Sequence, residues 1–123
     1  MQNDIEIYLH KQSPAQIIQW MTTVFGTPPE SRSSATKGTV RLSINTEKGA
    51  IPVMLVQRGS WYSVWFDSDN TPWKTDLECA QSAVAALDAK ARCSDGGWQE
   101  GDDPDQFLEV SAEGVTTVIW HDE

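Results

Sequence analysis

The chain of 123 residues carries 18 acidic against 9 basic side chains, a formal charge of −9, and 39% of it is apolar. That composition excludes wholesale disorder, and the length suits one domain, residues 1–123, able to bury its own core. The negative charge disfavours nucleic acid and anionic membrane surfaces as partners.

The charge is unevenly spread. Residues 1–66 hold six basic and four acidic side chains, a net of +2, whereas residues 67–123 hold three basic and fourteen acidic ones, a net of −11. After Cys93 there are nine carboxylates and no Lys or Arg. The N-terminus has acids where a secretory leader needs bases, and no apolar stretch follows them. The longest apolar run, residues 50–56, contains Pro52 and is far shorter than the roughly 20 residues of a membrane span. A cytoplasmic protein with no membrane segment is expected.

In chain order, residues 5–9 alternate apolar and polar and predict a first strand. Ser13-Pro14-Ala15-Gln16 predicts a helix start, with Ser13 as cap, Pro14 at the first helical position and Gln16 closing a capping box. Ile17, Ile18, Met21, Val24 and Phe25 then repeat at helical spacing until Gly26 and Pro28-Pro29 stop the helix. Residues 27–38 lack periodicity and read as one long loop. Three strands follow at 39–45, 51–57 and 61–67, joined by turns at 46–49 and 58–60. The middle one is apolar on both faces, which implies a central place in the sheet despite Pro52.

A second helix is predicted over 76–92. Thr75 and Glu78 provide a capping box, and Leu77, Ala80, Val84, Leu87 and Ala91 form a narrow stripe. On that helix Cys79 and Cys93 would lie roughly 20 Å apart, too far for a disulfide, so two free thiols are expected. A Gly- and Asp-rich loop, 94–104, leads to two last strands at 106–111 and 115–121. The order β-α-β-β-β-α-β-β predicts an α+β two-layer domain, an antiparallel or mixed sheet of about six strands carrying two helices. With its small size and acidity, the order α-β-β-β-α-β-β is similar to that of secretion chaperones that hold an effector segment. The similarity stops at element order, since no residue motif matches and the first strand is additional.

Four groups of residues could carry chemistry. Trp98, Glu100, Asp102, Asp103 and Asp105 place an indole among carboxylates, a surface suited to a basic protein partner. Trp61 and Trp65 fall on one face of a strand whose other face holds Tyr62, Val64 and Phe66, so they could form a ligand platform. Residues 67–78 set Asp67, Asp69, Thr71, Thr75 and Glu78 at the oxygen positions of a calcium loop, but Pro72 stands where that loop needs glycine. Asp67, Asp69 and Glu78 are therefore weak metal candidates. Two histidines, His10 and His121, end the first and last strands without ligand spacing to one another. No nucleophile-elbow or phosphate-loop pattern occurs, and Arg32, Lys37, Arg41, Lys48 and Arg58 give only local support for nucleic acid.

The reading is a non-catalytic interaction domain whose acidic half binds a basic partner, as adaptor, inhibitor or chaperone, without cofactor. Opposed charges on its two halves would also allow a homo-oligomer. The alternative is a small metal-dependent hydrolase using carboxylates of the 67–78 and 95–105 loops.

Overall fold

The structure is a computed structural model that describes residues 4–31, 38–94 and 106–120. Its elements are β1 (Ile5–His10), α1 (Pro14–Phe25), β2 (Glu30–Ser31), β3 (Thr39–Thr46), β4 (Gly49–Arg58), β5 (Trp61–Phe66), α2 (Asp76–Leu87), β6 (Ala91–Ser94), β7 (Gln106–Ser111) and β8 (Gly114–Ile119). The fold is α+β, with two helices and one antiparallel sheet in the order β2-β3-β4-β5-β1-β6-β7-β8.

That sheet has eight strands, not about six. One addition is β2, a two-residue strand inside the expected 27–38 loop, where Glu30 pairs with Ser43 and Ser31 with Leu42. The other is β6. The expected helix over 76–92 stops at Leu87 because Asp88 takes a left-handed conformation (φ 52°) and its backbone N–H donates to the Val84 carbonyl. The chain then runs extended between β1 and β7, with Leu9 opposite Ala91 and Ala91 opposite Val110. Helix-forming residues thus fill a strand position, because two neighbouring strands supply the hydrogen bonds that propensity alone does not favour.

The local start signals hold. The Ser13 side chain accepts from the Gln16 backbone N–H, and the Gln16 side chain returns the bond to the Ser13 backbone N–H. Gly26 closes α1 in the left-handed region at φ 75°. Thr75 caps α2 by accepting from the Glu78 N–H, but the expected capping box does not close, because the Glu78 carboxylate accepts from the Lys74 N–H rather than from that of Thr75. β4 does lie inside the sheet, between β3 and β5.

Register explains where the core forms. Ile5, Ile7 and Leu9 on β1 stand opposite Phe66, Val64 and Tyr62 on β5, and Leu42, Val53 and Phe66 line up across β3, β4 and β5. Apart from Tyr62, which packs half-buried against it, these positions with Ala91, Cys93 and Val110 join Ile17, Trp20 and Met21 of α1 and Cys79, Ala80, Ala83 and Val84 of α2 in one buried cluster. Trp20 and Trp73 stack at 5.6 Å, each packs a ring against Phe66, and the Trp20 indole N–H donates to Ser82 on α2. Alternate residues of every strand point to the opposite face. No helix among the described residues is long and apolar enough to cross a membrane.

The cysteines are placed differently from expectation. Cys79 lies on α2 and Cys93 on β6, and both are buried free thiols. Burial pushes the Cys79 thiol well up, with smaller contributions from Asp76 and Cys93. They thus enter one buried cluster from a helix and a strand rather than standing at two points of one helix.

Candidate functional site

β5 alternates as expected, with Tyr62, Val64 and Phe66 on the core face and Trp61, Ser63 and Trp65 on the other. On that second face β1 contributes Glu6, Tyr8 and His10, β6 contributes Arg92, and β7 contributes Phe107 and Glu109. Trp120 continues the same face one residue past β8.

The two nominated tryptophans part company here. Trp65 donates its indole N–H to Asp4 at 2.7 Å, beside a Ser63 hydroxyl that donates to Glu6. Trp61 instead enters a ring cluster, 4.6 Å from His10 and 5.0 Å from Trp120. Tyr8 meets Trp120 edge-on at 5.0 Å and Phe107 at 6.2 Å, and Phe107 meets Trp120 at 5.3 Å. All five rings are half-buried.

Arg92 is the centre of the cluster. Its guanidinium carbon is 4.6 Å from the Trp61 ring and 4.8 Å from the Trp120 ring. Its Nε and Nη2 both donate to Glu109 Oε1 at 2.9 Å. Indole faces carry negative potential, so a cation between two of them is held by both while the carboxylate fixes its plane. Close by, His10 is held below the ordinary imidazole value, mainly by burial and then by Lys11, Lys90 and Arg92, with Glu109 opposing.

These contacts require a curled sheet. Between β5 and β8 lie β1, β6 and β7. At about 4.8 Å per strand a flat sheet would hold their backbones roughly 19 Å apart. Trp61 and Trp120 nevertheless touch, so the sheet wraps toward this face and makes it concave. Strand order and curl bring Tyr8, Arg92, Phe107, Glu109 and Trp120 together with Trp61. Sequence reasoning misses these partners because the helical spacing of 76–92 takes in Arg92 and the sequence does not state which strands are neighbours. The signal that could have found the rings is their period of two with Glu6, Glu109 and Val118.

The other nominations fare variously. In the 67–78 segment the Asp67 N–H donates to the Pro52 carbonyl, Thr71 donates to Trp73, and Thr75 and Glu78 serve as caps. Asp76 accepts from the Glu6 N–H, and its carboxyl is raised by burial first and then by Asp4 and Glu6. The segment therefore seats Trp73 against the core, and among the described residues no three of His, Cys, Asp and Glu gather as a metal-holding group. β1 and β8 are not adjacent, and His121 lies outside the described residues. Trp98, Glu100, Asp102, Asp103 and Asp105 also lie outside them. The two ends of that acidic stretch are fixed, since Ser94 on β6 pairs with Phe107 on β7.

No family model matches the chain, and no curated protein or solved structure matches it.

Proposed function

We propose that the protein is a non-catalytic interaction domain that holds a basic segment of a partner protein on the concave face, with the acidic half supplying the attraction. The observation that carries this reading is Arg92, whose guanidinium rests on two indoles and hydrogen-bonds a carboxylate. An arginine from outside would find the same surroundings in the half-buried Tyr8 and Phe107 rings beside it, whose quadrupoles attract a cation at about 0.5–1 kcal/mol each when exposed. In the sequence the acidic residues stand between Ser94 on β6 and Gln106 on β7, and Gln106 precedes Phe107 on this face. In this arrangement the domain has two layers, helices on one side of the sheet and the partner on the other. A reducing cytoplasm suits its two buried thiols. In the 67–78 segment the Asp76 and Glu78 carboxylates accept backbone N–H groups of Glu6 and Lys74, and no observation favours the hydrolase alternative.

An arginine-rich peptide and a net-neutral peptide of equal length test the proposal by tryptophan fluorescence at low salt. The arginine peptide should shift the emission and bind more weakly as salt rises. Charge reversal of Asp102, Asp103 and Asp105 should slow association, and Phe107→Ala should weaken binding by about fivefold while leaving the charge unchanged. Equal binding of both peptides, or a Phe107→Ala protein that binds like wild type, would refute it.

A further inference from the structure

Among the described residues the strand at the end of the sheet, β8, carries none of the devices that normally stop an edge from pairing. Its sequence Gly114-Val115-Thr116-Thr117-Val118-Ile119 has no charge, no proline and no bulge. Among the described residues the large hydrophobic side chains that stand exposed are both on it, Val115 at 42% and Ile119 at 49%. They share the helix-side face, because Val115 pairs with the buried Val110 and Ile119 with Gln106. The opposite edge, β2, is two residues long and presents no such strip.

We infer that β8 is the pairing edge of a homodimer, two copies joining antiparallel about a two-fold axis at Thr117. The two-residue turn Ala112-Glu113 closes on the Ser111–Gly114 pair, so alternation aims the backbone groups of Gly114, Thr116 and Val118 at β7 and those of Val115, Thr117 and Ile119 outward. Centring on Thr117 sets Val115 opposite Ile119 of the partner subunit, with Thr117 opposite its own copy. All three outward-facing residues then exchange hydrogen bonds, and each exposed hydrophobic covers another. A two-residue shift one way sets Ile119 opposite the Glu113 carboxylate, and a shift the other way carries Val115 past Ile119.

A groove of about 360 Å³ between α2 and the β7–β8 hairpin, lined by Val84, Ala85, Val110 and Val115, opens beside the same strip. In this register Ile119 of the partner subunit is the apolar group nearest its mouth. A second copy is favoured over an acidic or basic peptide because the strand offers no charge to recognise one, whereas its own apolar pattern is self-complementary. One strand pair is small beside the roughly 1,200–2,000 Å² of a stable interface, so the dimer is weak and reversible. Each copy carries −9, so added salt strengthens it; an association of the +2 half with the −11 half would instead weaken. The inference is independent of the concave face.

Sedimentation of the full chain over a range of concentrations, at low and high sodium chloride, reads the outcome. The expected result is a monomer–dimer equilibrium that shifts to dimer with salt, and a Val115→Lys protein whose dissociation constant is at least about tenfold higher. Far-UV circular dichroism confirms that this variant stays folded. Under mild oxidation Thr117→Cys should form a covalent dimer, since opposed residues in a hydrogen-bonded pair have Cα atoms about 5.5 Å apart. Val115→Cys, four positions from its own copy in this register, should not, and the native thiols are buried. A monomer under every condition, a dimer that Val115→Lys leaves intact, or equal cross-linking of the two cysteine variants would overturn the inference.

Discussion

Arg92 joins three favourable contacts on one guanidinium, and its side chain is only 19% exposed, with that of Glu109 at 18%. At that burial neither group is well screened, so removing the cation strands a carboxylate with little water around it. Arg92→Met should therefore destabilise the fold by about 2 kcal/mol, read from urea unfolding, and shift the emission of Trp61 and Trp120. Arg92→Lys should recover only part of this, because an ammonium cannot lie flat on two indoles and bond one oxygen twice. If Arg92→Met cost no more than a surface substitution, the central role given to this residue would be wrong. Such a residue is hard to read from sequence. Ala-Lys-Ala-Arg-Cys has the composition of a helix, and nothing within it records that β1 and β7 will flank it.

At the scale of elements, local signals set most boundaries. The Ser13 capping box, Gly26 and the turns at 46–49 and 58–60 stand where spacing put them, because each is decided by a few neighbouring residues. The end of α2 carries no glycine signal, because an aspartate does there what glycine usually does. Asp88 at φ 52° bears the steric cost of a left-handed residue, about 1 kcal/mol, which glycine would not. Asp88→Gly should accordingly raise stability by about 0.5–1 kcal/mol in urea unfolding, the gain being offset in part by greater freedom of the unfolded chain. A loss of stability would mean that the Asp88 side chain, rather than its backbone, holds the helix end.

For the whole molecule the governing quantity is the charge distribution. A half at −11 repels itself in the compact state more than in the expanded one. Raising sodium chloride from low to moderate concentration should lift the melting temperature by about 2–4 °C, measured in the Val115→Lys background so that dimerisation does not contribute. Chloride is the right salt, since sulfate stabilises by exclusion from the surface whatever the charge. A flat or falling melting temperature would show that the acidic residues are already neutralised by contacts within the fold.

The sequence by itself determined the α+β class, both helix starts, the order of the long strands and the shared face of Trp61 and Trp65, because these follow from periods of two and 3.6 residues and from caps a few positions long. It also located the acidic half, whereas the exposure of Val115 and Ile119 on β8 came from the structure. Only the tertiary structure decided that residues 91–94 complete the sheet, that Cys79 and Cys93 enter one core from a helix and a strand, and that Trp61 meets Trp120 around Arg92. Those facts depend on which strands lie side by side and how far the sheet curls. Both are set by packing between distant segments, and no local run of residues records them.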